Sequence, residues 1–280
     1  MSSSLPIYYI NLDNRTDRRD FMEEQFARLG LSVERVAAVP AGSAVPAALS
    51  RHVDLERARY LGPVVTACAM SHMLCWKALL ARDDESQWAL ILEDDAILSD
   101  ALPSFLDEFL PLADSLGVDA VQLETRRRPV RAFPSARVLP SGRKLVRFRS
   151  AREGTACYLM SRRGAKTLLA RADLFDQPVD LSVFRPFFGP GRSIRTVLTN
   201  PALCMQLDEA GVESTSAHSD IASSRWTAIR ADKRRFAQAH LRTVNFFDHL
   251  IHLPAGLKRM VIPFDGQVPG GAAQGARTPR

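Results

Sequence analysis

Short apolar runs alternate with longer amphipathic segments in the first part of the chain. Residues 7–12 (IYYINL) are β-branched and aromatic, a composition that predicts a buried strand. Residues 14–29 carry apolar side chains at helical spacing, and Asn14 and Gly30 suit the two ends of a helix. Residues 31–39 predict a second strand, so the chain begins with a strand–helix–strand unit.

The same alternation then repeats. Helices are predicted at residues 67–81 and 102–112, and strands at residues 88–92 and 118–123. Strands that alternate with helices predict an α/β fold. Its sheet is expected to be mainly parallel and to carry helices on both faces.

The pattern changes after residue 126. Strands are predicted at 155–160 and 193–199, and helices at 162–172 and 226–251. From residue 266 the chain is rich in Gly, Pro and Ala, which predicts disorder. We therefore predict three parts: a main domain over residues 1–220, a helical basic extension over 221–265 and a disordered tail over 266–280.

Composition narrows the class of protein. The 280 residues hold four cysteines without a CxxC pair, which favours reduced thiols in a cytoplasmic protein over a zinc site or a disulfide framework. The N-terminus lacks the basic and apolar regions of a signal peptide. The sequence shows no apolar run of the length that a membrane span needs, so we expect none.

Basic residues are clustered rather than spread. The net charge is +6, and residues 126–152 contain ten Lys or Arg and no acid. Residues 225–259 contain eight Lys or Arg against two acids. Such clusters attract phosphates of lipid head groups, nucleic acid or an anionic substrate, or they are solvated arginine-rich loops. Residues 126–152 hold few aromatic residues among these arginines, so nucleic acid is not an expected partner.

Three adjacent acids, Glu93, Asp94 and Asp95, end the apolar run at residues 88–92. Ligands of open α/β sheets bind beyond the carboxyl ends of the strands. Alternation along an extended chain would point Glu93 and Asp95 to the same side. A divalent cation, Mg²⁺ or Mn²⁺, would neutralise both carboxylates and hold the phosphates of a nucleotide. The alternative is a turn or helix N-terminus that merely uses acids.

The end of the first predicted strand carries complementary chemistry. Asn11, Leu12 and Asp13 end the strand, and three arginines follow in the first helical turns: Arg15, Arg18 and Arg19. Arginines at a strand-to-helix junction bind phosphate in bidentate fashion. The alternative is pairing with the nearby acids of the same helix. Acids at one strand end and bases at another favour a nucleotide–metal site.

Five blocks in order resemble glycosyltransferase family 25, the bacterial lipooligosaccharide glycosyltransferases related to the collagen galactosyltransferases. The blocks are IYYINLDNRTDRR, ACAMSHMLCWKAL, ALILEDDAIL, GTACYLMSRRGAKTLL and QPVD, and the resemblance runs from residue 6 to 220. It implies a GT-A fold (Rossmann-like, with a mixed sheet), a UDP-sugar donor, typically UDP-galactose, a divalent metal and an inverting reaction. Two departures are Ala67, where the family often has Gly, and Glu93 in place of the first Asp of the acidic motif.

The resemblance also implies roles for single residues. Asp95 is the expected metal ligand, with Glu93 beside it and His218 closing the site from the C-terminal side; an exposed loop role is the alternative for His218. Asp180 is the expected general base, although a helix N-cap role suits it equally. Nucleotide-binding roles fall on the following residues: Asn11, Leu12, Arg15, Arg18, Arg19, Ser71, His72, Glu93 and Asp94.

The sequence therefore predicts a metal-dependent hexosyltransferase, with galactose as the first candidate sugar and a saccharide of lipooligosaccharide or lipopolysaccharide as acceptor. We expect a cytoplasmic protein that is peripheral on the anionic inner membrane, held there by its basic stretches. Two alternatives stay open: a catalytically silent nucleotide-binding homologue, and a metal-dependent phosphoryl-transfer enzyme.

Overall fold

A nine-stranded sheet forms the centre of the molecule. The computed structural model describes residues 5–84, 86–211 and 256–268. The strand order in the sheet is β11-β6-β7-β9-β5-β8-β3-β1-β2, and β4 and β10 form a separate two-stranded sheet. The strands are β1 (Ile7–Asn11), β2 (Glu34–Ala37), β3 (Trp88–Glu93), β4 (Ala96–Leu98), β5 (Ala120–Gln122), β6 (Pro129–Val138), β7 (Lys144–Phe148), β8 (Cys157–Ser161), β9 (Thr196–Asn200), β10 (Cys204–Gln206) and β11 (Lys258–Val261).

Helices connect these strands and cover the sheet. They are α1 (Thr16–Leu29), α2 (Leu55–Ala58), α3 (Pro63–Ala81), α4 (Leu102–Phe109), α5 (Arg162–Leu169), α6 (Val179–Phe184) and α7 (Leu207–Ala210). Asn14 is the expected cap of α1, but the N-cap residue is Arg15, which makes no side-chain cap hydrogen bond, and the helix begins at Thr16. It ends as predicted at Gly30, whose φ of 64° is the left-handed conformation that glycine adopts at low cost.

The predicted α/β fold, with helices on both faces of a mixed sheet, is confirmed. Pairs β1–β2, β1–β3 and β5–β9 are parallel, and the other pairs of the large sheet are antiparallel. Following these pairings across the sheet, six of its nine described strands point one way, and β7, β8 and β11 oppose them. Strand β8 enters the centre of the sheet, between β3 and β5, and interrupts the parallel run.

Two hydrophobic cores lie on opposite faces of the sheet. Side chains alternate along each strand, so Tyr8 and Ile91 join a core with α3, α5 and α6. Tyr9 and Leu90 face the opposite way and pack with α1 and α4. Because both faces are covered, the central strands are apolar throughout, which is why the sequence revealed them as continuous runs.

Helix α3 is the central helix of the first core. Its length of 19 residues and its apolar composition alone would suit a membrane span. Eleven of its residues are buried, among them Met73, Trp76 and Leu79, and they pack in the same core as β1 and β3. These contacts identify α3 as a core helix. Ala67 lies within it, 3% exposed, where helical backbone accepts alanine readily.

The basic stretch at residues 126–152 contains a hairpin that the sequence pattern did not predict. Strands β6 and β7 pair there in antiparallel fashion, with a register shift between Ala132 and Ala136. Several of its arginines bind within the protein: Arg126 pairs with Glu209, Arg128 with Glu153 and Arg143 with Asp265, while Arg152 is buried. Part of this positive charge is therefore paired within the fold, while Arg127, Arg137, Lys144 and Arg147 lie exposed.

The C-terminal described segment returns to the large sheet. Strand β11 pairs with β6, Ile262 is buried in the first core, and Ala202 and Phe264 form an isolated bridge. The sequence assigned residues up to 265 to a helical extension, but residues 258–261 form a strand, because their backbone pairs with β6 at the edge of the sheet. The predicted helix at 226–251 and most of the predicted tail lie outside the described residues.

Replacing Leu90 tests how much the sheet's second core contributes. Leu90 is fully buried on β3, so Leu90→Ala should lower the free energy of unfolding by about 2–5 kcal/mol in urea denaturation. Leu55 is 57% exposed, and the matched variant Leu55→Ala should stay within about 0.5 kcal/mol of the parent. Equal losses in the two variants would contradict the assignment of β3 to the core.

Candidate functional site

The three acids stand at the carboxyl edge of the sheet. Strand β3 ends at Glu93, Asp94 and Asp95 form a two-residue turn, and β4 follows at once. Because β1, β3 and β5 run in the same direction, their carboxyl ends meet at this edge. The edge brings together most of the residues that the sequence singled out.

Asp94 is held by residues that come from the first strand and first helix. The side-chain amide of Asn11 donates to its Oδ2 atom at 2.9 Å, and Arg18 pairs with its Oδ1 atom at 2.7 Å. Arg18 also lies 4.0 Å from Asp95. Two elements that are 76 residues or more apart in sequence thus meet through one carboxylate.

The other N-terminal candidates have partners in this part of the protein. Arg15 binds Asp17 through two hydrogen bonds of 3.0 and 2.9 Å, as the alternative prediction for this helix expected. Arg19 donates to the side-chain oxygen of Asn11 at 3.4 Å. Leu12 contributes its backbone oxygen, which accepts from the Arg15 N–H at 3.0 Å. The strand-to-helix turn is therefore fixed, with its arginines beside the acidic turn.

Glu93 and Asp95 share a neighbour, as expected for side chains on the same side. The amide of Gln206, at the end of β10, lies 3.5 Å from a Glu93 oxygen and 3.4 Å from an Asp95 oxygen. Burial and the adjacent charge of Glu93 raise the pKa of Asp95 to about 7, and Arg18 opposes that shift. The site holds more negative charge than Arg18 offsets.

His72 links the acidic turn to the core below it. Its Nε2 atom lies 3.1 Å from Glu93, and its Nδ1 atom lies 3.1 Å from the Tyr158 hydroxyl, which accepts from Trp76 at 2.9 Å. In a neutral imidazole, Nε2 then donates to Glu93, and Nδ1 accepts from Tyr158. This chain of hydrogen bonds fixes the orientation of the Glu93 carboxylate, which Thr155 also contacts at 2.5 Å.

Ser71 is a neighbour of His72 in sequence but not in the site's contacts. Its hydroxyl donates to the Ala67 carbonyl at 2.8 Å and accepts from the Val39 N–H at 2.9 Å. It is 2% exposed. These bonds fasten the segment after β2 to α3, and the predicted nucleotide contact of Ser71 stays a prediction.

Glu124 belongs to the same cluster and was missed by the sequence reasoning. It follows β5, is 1% exposed, and accepts from the Ala156 N–H at 2.8 Å through one oxygen. Its other oxygen, Oε1, has no hydrogen-bond partner among the described residues. Burial and the charge of Glu93 raise the pKa of Glu124 to about 8. Its place directly after a predicted strand was the signal that could have found it.

A tight loop before β8 separates Glu124 from α6. Gly154 has a φ of 98°, and a Cβ atom there would lie 2.3 Å from Glu124 Oε1, so this loop requires glycine. The Gly154 N–H donates at 3.2 Å to Asp180, the predicted base. Asp180 lies inside α6 rather than at the N-cap, which is Pro178, and its second oxygen accepts from the Leu181 N–H at 2.8 Å.

The donor set at this edge fits a divalent cation. Carboxylate oxygens of Glu93 and Asp95 converge on one amide, and hard oxygen ligands suit Mg²⁺ or Mn²⁺. A second set brings together one ligand atom each of Cys68, His72 and Glu93, all within 4.8 Å of one another. Its sulfur and nitrogen favour a softer ion. His218, predicted to close the metal site, lies outside the described residues.

Comparisons with known proteins identify the family of this chain. The model of glycosyltransferase family 25 (LPS biosynthesis protein) matches residues 4–183. The chain is 30% identical over 207 residues to the lacto-N-neotetraose biosynthesis glycosyltransferase LgtB of Neisseria meningitidis serogroup B, covering 71% of this chain and 74% of that protein. It is 24% identical over 235 residues to the lipooligosaccharide biosynthesis protein lic2B of Haemophilus influenzae, covering 81% and 86%.

Among solved structures, a glycosyltransferase involved in the glycosylation of the major capsid of PBCV-1 aligns with a TM-score of 0.40 and 11% identity, over 73% of this chain and 93% of that one. The family model covers more than half of the chain, and the two relatives are named for the biosynthesis of lacto-N-neotetraose and of lipooligosaccharide. The chain belongs to glycosyltransferase family 25, a family of lipooligosaccharide biosynthesis glycosyltransferases.

Proposed function

We propose that this glycosyltransferase moves a hexose, with galactose as the first candidate, from a UDP-sugar to a saccharide acceptor of lipooligosaccharide or lipopolysaccharide. The observation that supports this most directly is the meeting of Arg18 with Asp94 and Asp95 at one sheet edge. Opposite charges held side by side there are what a cation–diphosphate pair would need.

In this proposal the N-terminal unit binds the nucleotide. Asn11 and Arg18 fix the acidic turn, Arg15 is the N-cap residue of α1, and Arg19 lies in its first turns. The N-terminus of a helix favours an anion, so a diphosphate is stabilised both by the helix and by arginine. The bond between Arg15 and Asp17 is exposed and is therefore weak enough to exchange for a phosphate.

Asp95 and Glu93 would hold the metal ion. Bound there, Mg²⁺ or Mn²⁺ would neutralise charge on the departing diphosphate. Glu93 is oriented for this role by His72 and Thr155, and Gln206 spaces it from Asp95. Metal dependence and the identity of the ion are part of the proposal.

Inverting transfer requires a base on the far side of the anomeric carbon. Asp180 would take the proton from the acceptor hydroxyl as its oxygen bonds to that carbon. The bond from the anomeric carbon to UDP breaks, and its electron pair leaves with the diphosphate. The backbone N–H groups of Gly154 and Leu181 donate to the Asp180 carboxylate and orient it.

The first test is UDP release from a panel of UDP-sugars, with and without Mn²⁺ and with a saccharide acceptor. One sugar should give a metal-dependent signal, which names the donor. Asp95→Asn should lower that signal at least about 100-fold, because a neutral amide holds the cation poorly.

Asp100→Asn is the matched control, since Asp100 is exposed and pairs with Arg28 on the surface. It should leave transfer unchanged. Full metal-dependent transfer by Asp95→Asn would disprove the metal assignment. UDP binding without release from any donor would indicate a catalytically silent homologue.

The raised pKa of Glu124 predicts how the stability of the protein changes with pH. Its pKa is raised in the folded protein, so the folded state keeps a proton that the unfolded chain loses. The free energy of unfolding of the metal-free protein should therefore fall as the pH rises from about 5 to about 8. Glu124→Gln should weaken this decrease and be more stable than the parent at the upper pH.

Urea denaturation at several pH values in the presence of a chelator measures this effect. Glu24, an exposed residue of α1, supplies the control Glu24→Gln, which should follow the parent. If Glu124→Gln showed the parent's full pH dependence, Glu124 would not be the group that holds the proton.

We further propose a cytoplasmic enzyme that is peripheral on the inner membrane. The basic residues of β6 and β7 that remain exposed, such as Arg137 and Lys144, support this, although others are paired inside the fold. Sedimentation with anionic liposomes at low salt should exceed that with neutral liposomes, and should weaken as salt is added. Equal sedimentation with both kinds of liposome would refute membrane attachment through charge.

A further inference from the structure

A surface cavity lies between α2 and the short helical turn Leu174–Asp176. Its volume is about 370 Å³, and five residues line it: Glu56, Arg57, Tyr60, Phe175 and Asp176. The volume lies within the range of small-ligand sites. None of these residues takes part in the acidic site described above.

The walls combine an aromatic surface with planar polar groups. Tyr60 is 54% exposed although most of its ring is apolar, and Phe175 lies in the core beneath the opening. Arg57 pairs with Asp176 at 3.0 Å, so a guanidinium and a carboxylate lie side by side in the wall of the cavity. Exposed aromatic surface beside ordered polar groups is typical of a ligand site.

The charge of the cavity restricts the ligand. Its lining contains two carboxylates, Glu56 and Asp176, against one guanidinium, that of Arg57. Arg59, next to the cavity, pairs with Glu56 and lies over the Tyr60 ring at 4.6 Å. Because both guanidiniums already pair with carboxylates, a phosphate or an acidic group would have to displace one of those carboxylates. A neutral ligand rich in hydroxyls would find both donors and acceptors.

Helices α3 and α6 connect the cavity to the acidic site. Thr66, in the first turns of α3, donates to the carbonyl of Ala58 in α2, and α3 then carries His72 to Glu93. The helix rises about 14 Å from Pro63 to His72. The other wall, Phe175 and Asp176, is followed directly by α6, which holds Asp180.

We propose that this cavity is a saccharide subsite, which binds a neutral pyranose of the acceptor remote from the hydroxyl that receives the new sugar. The apolar C–H face of the pyranose would stack on Tyr60, and its hydroxyls would bond to Arg57, Asp176 and Glu56. This inference rests on the proposed transfer to an oligosaccharide. It predicts that long acceptors bind more tightly than single sugars.

Removing the ring tests the subsite. Tyr60→Ala should raise KM for a tetrasaccharide acceptor about five- to tenfold, since an aromatic contact contributes that much affinity, and leave kcat unchanged. KM for a monosaccharide acceptor should not move, because such an acceptor does not reach the cavity. Tyr60→Phe keeps the ring and should behave as the parent. Val138→Ala removes an equally exposed apolar side chain on β6 and is the control.

A binding experiment separates this inference from the proposed function. Saturation-transfer NMR with galactose, lactose and lacto-N-neotetraose reports saccharide binding, and calorimetry with UDP reports the nucleotide site. The subsite is supported when Tyr60→Ala loses tetrasaccharide binding and keeps UDP binding. It is overturned when the parent protein binds UDP but the tetrasaccharide binds no more tightly than galactose, or binds equally to Tyr60→Ala. If the parent protein did not bind UDP, that result would instead contradict the proposed function.

Discussion

The site depends on one constraint: several carboxylates lie close together at a largely buried edge of the sheet. Glu93, Asp95 and Glu124 lie in or beside the buried turn, and mutual repulsion adds to the cost of removing each from water. Arg18 offsets part of that negative charge. Protonation of the carboxylates offsets a further part, because the pKa values of Asp95 and Glu124 are both raised. A protein selected for stability alone would replace these acids. Their retention is understandable where a cation or a ligand completes the balance.

The supporting framework explains how the acids stay in place. The hydrogen-bonded chain Trp76–Tyr158–His72–Glu93 runs from α3 through β8 to the end of β3. Burial raises the pKa of Tyr158 well above its ordinary value, so its hydroxyl keeps its proton and stays a reliable donor. Because each member is satisfied by the next, the carboxylate of Glu93 has one orientation.

Much of the fold could be predicted from the sequence because the central strands are buried on both faces. Runs such as residues 7–12 and 88–92 are apolar throughout, and the helices between them are long enough to show their period. The hairpin of β6 and β7 could not be predicted, because its strands are exposed on one side and rich in arginine. Pattern alone also could not place β8 between β3 and β5, which only long-range pairing decides.

The candidate site, like the fold, could be predicted from the sequence only in part. The acidic turn and Arg18 were visible as strand-end residues, and the structure brings them together. Gln206 and Thr155 were not visible, since neither has a local pattern and both reach Glu93 from distant parts of the chain. Ser71 stands next to His72 in sequence, and its hydroxyl bonds to Ala67 and Val39. Residues adjacent along a helix point in different directions, so a partner of His72 in sequence need not share its contacts.

The glycine before β8 has a genetic consequence. Every missense change of a glycine codon adds at least a Cβ atom, and at Gly154 that atom would meet the Glu124 carboxylate, in a backbone conformation that L side chains rarely adopt. No amino-acid replacement at this codon is therefore conservative. Drift at this position can proceed only together with a change at Glu124 or a rebuilt loop, so the two positions should vary as a pair across descendants of this gene.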